Sequence, residues 1–172
     1  MLRLMLLRHA KSDWPDGIDD HDRPLAERGR QASPLMAEYM AQEGLLPDLA
    51  IVSTARRTME TWELVRPALA HEIDWREEAR IYEAPARVIV DIVRSTEPAI
   101  QSLLIIGHNP GLHDVALQLI GNGKEADLAR LRLKYPTAGL VVIDFKAKSW
   151  SDLPEQSGKL DRFVTPKTIA AV

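Results

Sequence analysis

Cysteine is absent from this sequence of 172 residues, which excludes disulfide bonds, thiolate chemistry and zinc or iron–sulfur sites held by cysteine. Lysine and arginine number 22 against 25 acidic residues and form no dense run, so nothing indicates a nucleic-acid-binding surface. The first apolar run, Leu2–Leu7, is interrupted by Arg3, is too short to span a membrane and lacks a cleavage site. We therefore expect a cytoplasmic protein that contacts neither nucleic acid nor membrane.

Three common nucleotide and hydrolase motifs are also absent. The chain has neither the G-x-x-x-x-G-K-[ST] loop that binds nucleotide phosphates nor the G-x-S-x-G turn of serine hydrolases. It also lacks G-x-G-x-x-G after the first apolar run, which continues into Arg8 and His9, and this argues against a dinucleotide-binding unit. The length favours a single domain over residues 1–172.

Short apolar runs alternate with helical patterns along the chain. The runs rich in Leu, Ile and Val predict strands that are covered on both faces, at Leu2–Leu7, Leu49–Val52, Leu103–Ile106 and Leu140–Phe145. We also predict an edge strand near Leu160–Val164 and a short strand near Ile81.

Helical periodicity separates these strands. It predicts one helix that begins near Ala26 and is kinked at Pro34, or that begins with Pro34 in its first turn. It predicts three more helices, over Thr58–Arg66, Ala86–Val93 and Leu112–Ile120. The alternation indicates an α/β domain, a three-layer sandwich with a mostly parallel sheet and helices on both faces.

Polar residues follow three of the predicted strands directly. Arg8 and His9 follow the first, the segment 53–58 with Arg56 and Arg57 follows the second, and His108 follows the third after one glycine. Each segment taken alone could be an ordinary polar loop or helix cap. Because ligands bind beyond the carboxyl ends of strands in open α/β sheets, we expect the three segments to converge.

The converging residue types suit phosphoryl transfer. Arginine presents a planar fork of donors that matches phosphate oxygens, and a neutral histidine can attack phosphorus to form a covalent intermediate. Two arginines and a second histidine can stabilise the charge on the transferred group without a metal. No metal-ligand spacing is apparent, since His108 and His113 do not share a helical face.

With these residues in place, the chain resembles the histidine phosphatase superfamily, and within it the short SixA-type phosphohistidine phosphatases. The resemblance covers residues 2 to about 145 and rests on an ordered set of short motifs. These are Leu7-Arg8-His9-Ala10, the segment from Arg23-Pro24-Leu25 to Gly29, Ser53 followed by Arg57 and Thr61, Tyr82-Glu83-Ala84, Gly107-His108 and Pro136-Thr137-Ala138.

The resemblance implies roles for particular residues. It makes His9 the phosphorylated nucleophile, with Arg8, Arg57 and His108 as the other catalytic residues of the phosphate pocket. The motif register favours Arg57, and Arg56 is the alternative. We expect substrate binding by a second set of residues, Arg23, Ser53, Glu83 and Asn109. A carboxylate in the Glu83 region donates a proton in mutase-like relatives, and whether any residue acts as an acid here stays open.

The function implied is a phosphatase with a phosphoglycerate mutase-like fold that uses no metal or cofactor. Its expected partner is phosphohistidine in a histidine-containing phosphotransfer protein, because the chain has little room for the insertions that cover the pocket in other members. A small-molecule phosphoester is the alternative substrate. A phosphate-recognition module without turnover and a phosphoglycerate mutase-type transferase are the alternatives from other classes.

Overall fold

The computed structural model describes residues 1–69 and 71–170. Its seven strands are β1 Leu2–Arg8, β2 Leu49–Val52, β3 Asp74–Glu77, β4 Ser102–Gly107, β5 Ile120–Gly123, β6 Leu140–Phe145 and β7 Gly158–Val164. Its helices are α1 Glu27–Gln42, α2 Arg56–Val65, α3 Ala86–Arg94, α4 Gly111–Leu119, α5 Glu125–Leu133 and α6 Pro166–Ala170. Short 3-10 turns lie at Asp20–Asp22, Arg66–Ala68 and Ala79–Ile81.

All seven strands form one sheet in the order β3-β2-β4-β1-β6-β7-β5. Strands β3, β2, β4 and β1 run parallel to one another, and β7 and β5 form a second parallel pair. Strand β6 runs antiparallel to both β1 and β7. The predicted fold class, a mostly parallel α/β sheet, is confirmed.

Alternate residues of the central strands face two separate cores. On β1, Leu4 and Leu6 pack on one side of the sheet with α3 and α4, and Met5 and Leu7 pack on the other side with α1 and α2. Each of these four side chains is fully buried. Because both faces are covered by helices, the strand is apolar at successive positions instead of alternating with polar residues. The predicted three layers are therefore present.

Two sequence predictions for strands are wrong in detail. Ile81 ends a 3-10 turn, and the strand of that region is β3, whose sequence Asp-Trp-Arg-Glu is mostly polar because it forms the sheet edge. Strand β7 lies between β6 and β5 and is therefore an interior strand, so the edge is β5. Ile120 opens β5 instead of ending a helix, since α4 ends at Leu119.

The helices agree with their predicted positions except at their ends. Helix α1 begins at Glu27 and continues through Pro34, so this proline is not in a first turn. Helices α5 and α6 were not predicted, because α5 buries only Leu131 and α6 has five residues. Within the described residues, no helix is long and apolar enough to cross a membrane.

Candidate functional site

The parallel register of the central strands brings two histidines together. Arg8 on β1 is opposite Gly107 on β4, so His9 and His108 are the next residues beyond both strands. Their ring centroids lie 5.4 Å apart, and both side chains are buried. The backbone N–H of His9 donates to the carbonyl of Gly107 at 3.1 Å, which fixes this alignment. The expected convergence at the carboxyl ends of the strands is present.

The hydrogen bond of His9 defines the tautomer of its ring. Its Nδ1 lies 2.8 Å from the carbonyl oxygen of Ala10. A carbonyl oxygen only accepts, so Nδ1 carries the proton and the lone pair of a neutral ring is on Nε2. The pKa of His9 is lowered to about 3, chiefly by burial and also by the nearby His108, Arg8 and Arg57, while the hydrogen bond to Ala10 acts in the opposite direction. The ring is therefore neutral near pH 7.

His108 is positioned by the neighbouring strand. Strand β2 pairs with β4 so that Val52 is opposite Ile106, and Ser53 therefore follows at the same level as Gly107. The Oγ of Ser53 lies 2.7 Å from Nε2 of His108. Burial lowers the pKa of His108 to about 3, with the positive charge of Arg57 as the next cause. Ser53 thus orients the ring of His108 through this hydrogen bond.

The first turn of α2 separates the two candidate arginines. Arg57 is buried, and its Nη1 and Nη2 donate to the carbonyl oxygen and the carboxylate of Asp20 at 2.7 Å and 3.1 Å. Arg56 points away to the surface and pairs with Glu60 at 3.4 Å. Arg57 lies close enough to His9 and His108 to lower the pKa of both, whereas Arg56 does not belong to this group. We refer to His9, His108, Arg8 and Arg57, with the residues that hold them, as the histidine cluster.

One main-chain carbonyl orients two further residues of the cluster. The carbonyl oxygen of Tyr135 accepts from Nη1 of Arg8 at 3.0 Å and from Nδ2 of Asn109 at 2.9 Å. Burial lowers the pKa of the Arg8 guanidinium, although it stays charged at neutral pH. Tyr135 itself is buried, and its hydroxyl donates to the carbonyl of Leu6. Arg8 and Asn109 are therefore held against the same end of the sheet.

Asp20 contacts three residues around the candidate site and was not predicted from the sequence. Its carboxylate accepts hydrogen bonds from Arg57, from Nε of Arg23 at 3.0 Å and from the hydroxyl of Tyr82. The Tyr82 hydroxyl and the two guanidinium groups hold the pKa of Asp20 well below its ordinary value. Its position three residues before Arg23 was the available signal, because side chains at that spacing can pair across a 3-10 turn.

In the described part of the chain, Arg23 and Glu83 form no hydrogen bond with either histidine. Arg23 is buried, and besides Asp20 it contacts the hydroxyl of Ser12 at 2.9 Å and stacks on Trp14. Glu83 is exposed, with a backbone φ of 54°. Its neighbour Tyr82 is the residue that faces the cluster, with its ring 5.6 Å from that of His108.

Two contacts hold the loop after β1 in place. The N–H of Ala10 donates to Oγ1 of Thr61 at 3.1 Å, and the same hydroxyl donates to the carbonyl of Arg57 at 2.7 Å. A Cβ on Gly29 of α1 would lie 2.1 Å from the carbonyl oxygen of Lys11. Only glycine therefore lets α1 pack this closely against the loop that carries His9.

Several buried polar atoms of the cluster lack a hydrogen-bond partner among the residues that the structure describes. They are Nε of Arg8, Nε of Arg57, Nδ1 of His108 and Oδ1 of Asn109. Unpaired guanidinium donors beside two neutral imidazoles suit a tetrahedral oxyanion, because such a ligand accepts several hydrogen bonds at once. Across the two described ranges, no group of three or more His, Asp or Glu side chains is arranged to hold a metal ion.

Comparisons with known proteins agree with this geometry. A family model described as the histidine phosphatase superfamily (branch 1) matches residues 4–85. An uncharacterized protein of Mycobacterium tuberculosis is 32% identical over 166 residues, which cover 94% of this chain and 100% of the relative. A crystal structure from Agrobacterium tumefaciens, provisionally named phosphohistidine phosphatase SixA, has a TM-score of 0.81 at 30% identity and covers 96% of this chain and 98% of that one.

A more distant solved structure has the same fold. It is a protein histidine phosphatase SixA in complex with tungstate, with a TM-score of 0.77 at 17% identity. The match covers 98% of this chain and 99% of that chain. At this identity the likeness is one of fold.

Proposed function

Since the chain belongs to the histidine phosphatase superfamily and is a phosphatase of the SixA type, we propose that it hydrolyses phosphohistidine in a signalling phosphotransfer protein. The proposal includes a cytoplasmic location and one catalytic domain over residues 1–172. Hydrolysis of a small-molecule phosphoester is the alternative within the same chemistry. A phosphate-recognition module without turnover is the alternative of another class.

The tautomer of His9 is the observation that carries the proposal. Its Nδ1 is committed to the Ala10 carbonyl, so Nε2 presents a lone pair inside a buried cluster of cationic donors. A low pKa keeps this nitrogen unprotonated near pH 7. A histidine that merely filled space would not need both guanidinium groups and a second imidazole beside it.

In the proposed first step, Nε2 of His9 attacks the phosphorus of the substrate in line with the bond that breaks. Arg8, Arg57 and His108 bind the equatorial oxygens, where negative charge accumulates in the transition state. The substrate imidazole leaves with the electron pair of the broken P–N bond. It leaves as a neutral ring when its other nitrogen already carries a proton, so this step needs no general acid.

In the second step, water attacks the phosphorus of phosphohistidine 9 and restores the free imidazole with release of inorganic phosphate. The same three side chains stabilise the charge, and Asp20 supports this arrangement by holding Arg57 through two hydrogen bonds. Asp20 is ionised at neutral pH, its pKa being lowered by the Tyr82 hydroxyl and the two guanidinium groups, and it serves as a positioning residue for Arg57.

The length of the chain around the site supports a protein substrate. Between α2 and β4, the described residues 66–69 and 71–101 form two 3-10 turns, the edge strand β3 and the short helix α3. No long insertion follows any strand that ends at the cluster within residues 1–69 and 71–170. This lack of a covering insertion supports a phosphorylated side chain on a second protein as the substrate of His9.

The test compares two substrates with one variant. The purified protein should release phosphate from a phosphohistidine-bearing protein with a higher kcat/KM than from an aryl phosphate. His9→Asn should abolish both activities and the acid-labile labelling of the enzyme by substrate, while circular dichroism stays unchanged.

Release from the aryl phosphate alone would favour the small-ester alternative, and labelling without release would favour a recognition module. Turnover by His9→Asn would refute the nucleophile, and isomerisation of a phosphoglycerate would indicate a transferase.

A further inference from the structure

A large groove lies next to the histidine cluster and is not used by the proposed chemistry. Its volume is about 830 Å³, and it is bounded by α1, by the end of α5 and the segment after it, and by the end of β7 with α6. Lys11 and Thr137 line the groove and connect it to the segments next to His9. Lys11 is two residues beyond His9, and Thr137 precedes Ala138, whose N–H donates to the His9 carbonyl at 3.0 Å.

The charged side chains of the groove all have one sign. Within residues 1–69 and 71–170, the lining contains no carboxylate and five basic residues: Lys11, Arg28, Arg130, Lys134 and Lys167. This is a local concentration of positive charge in a chain whose net charge is −3. Only Arg130 is engaged, with Asp127 at 3.2 Å, and the other four form no ion pair with the residues that the structure describes.

Apolar side chains line the groove between these cations. They include Leu35, Leu133, Pro136, Phe163 and Pro166. Leu133 is 83% exposed, although a leucine on a helix gains free energy from burial. An apolar surface with a cationic rim fits a partner that has an apolar stripe bordered by carboxylates.

The length of the groove favours a peptide segment over a small anion. The α1 residues that line it, Arg28, Gln31, Ala32 and Leu35, recur at the spacing of one helical face. At 1.5 Å per residue this face is roughly 10 Å long, or two turns of helix. A single small anion would contact one or two of the cations, whereas a helical segment laid along α1 reaches cations at both ends of the groove.

We propose that this groove docks an acidic amphipathic helix of the protein substrate, next to the phosphohistidine that enters the His9 cluster. The inference rests on the proposed function for the identity of the substrate, and it adds the chemistry by which the partner is selected. Apolar residues of the docked helix cover Leu133 and Leu35, and its carboxylates face Arg28 and Lys167 across the groove.

The experiment uses the whole chain and two synthetic helical peptides. Both peptides carry a central histidine and a leucine face, and they differ by glutamates or lysines on the flanks of that face. Binding of the fluorescent, unphosphorylated peptides is measured by anisotropy. The acidic peptide should bind at least about tenfold more tightly than the basic one at low salt, and added sodium chloride should reduce the difference.

Charge reversal locates the binding surface. The double variant Arg28→Glu with Lys167→Glu should weaken binding of the acidic peptide by about tenfold or more, because two exposed cations become repulsive. The milder double variant Arg28→Ala with Lys167→Ala should give a smaller loss in the same direction. Lys148→Glu is the matched control, since this exposed lysine follows the end of β6 that pairs with the start of β1, and His9 follows the other end of β1. Hydrolysis of an aryl phosphate should be unchanged in all three variants.

The outcomes separate the two proposals. Equal binding of both peptides, or binding that the double reversal leaves unchanged, would overturn the docking groove whatever the enzyme hydrolyses. Charge-dependent binding of the acidic peptide supports the groove. If the bound acidic peptide, once phosphorylated on its histidine, then keeps its phosphoryl group while the aryl phosphate is hydrolysed, the groove stands and the phosphohistidine substrate fails.

Discussion

The two buried histidines should make the stability of the protein depend on pH in a defined interval. Both His9 and His108 have a pKa of about 3 in the folded protein against 6.5 as the ordinary value. Lowering the pH from 7 to 5 therefore protonates these rings in the unfolded chain and leaves them neutral in the folded one. The unfolded state gains protons, so the free energy of unfolding must fall as the pH falls.

The size of the effect follows from the folded pKa values. Each proton bound only by the unfolded state contributes a slope of up to ~1.4 kcal/mol per pH unit below pH 6.5. Integrated from pH 7 to pH 5, one histidine accounts for about 1.9 kcal/mol and the pair for about 4 kcal/mol. Because both folded pKa values lie well below 5, the folded rings bind almost no protons in this interval.

Urea denaturation at pH 7 and pH 5, in buffers free of phosphate, measures this difference through the buried residues Trp62 and Trp150. The carboxylates, with ordinary pKa values near 4, contribute little in this interval. His108→Asn should lose only about half as much stability as the wild type between the two pH values. His71→Asn, which replaces an exposed histidine outside the cluster, should show the full loss.

Two results would refute the reasoning. One is a wild-type free energy of unfolding that agrees within about 0.5 kcal/mol at the two pH values. The other is a His108→Asn variant with the same pH dependence as the wild type. Either would mean that the histidines are not held neutral by burial, and the basis for an unprotonated Nε2 on His9 would be lost.

Three further perturbations test the supporting residues. Arg57→Ala should lower kcat/KM by about 10²–10³ while Arg56→Ala stays near wild type, because only the former guanidinium lies in the cluster; steady-state kinetics that rank them in reverse would overturn the assignment. Asp20→Asn should lower the free energy of unfolding by about 1 kcal/mol, since two buried guanidinium groups lose their shared carboxylate, and urea titration checks this. Gly29→Ala should destabilise the protein by about 1–3 kcal/mol through its clash with the Lys11 carbonyl, and a thermal midpoint equal to that of the wild type would contradict the packing.

Sequence patterns predicted the strands that are covered on both faces. Leu49–Val52 and Leu140–Phe145 were predicted with their observed limits, because burial on two sides requires an unbroken apolar run. Strands β3 and β5 gave no such signal. They are the two edges of the sheet, and they are held by backbone hydrogen bonds that do not depend on side-chain polarity.

The sequence predicted which three segments meet at the candidate site, but it did not predict the contacts among their side chains. His9, Arg57 and His108 each follow a strand, and parallel strands end at one edge, so their convergence could be expected from the order of the motifs. Asp20 could not be placed, because its contacts with Arg57 and Tyr82 require a surface turn to fold back over residues 37 and 62 positions away.

The residue types and their order along the chain therefore determined the fold class and the kind of chemistry. Tertiary structure decided which nitrogen of His9 is free, which arginine is in the cluster, and that five cations border one groove. These properties depend on distance and burial between residues far apart in sequence. Hydrogen bonds and pKa values respond to such neighbours, and a linear pattern does not specify them.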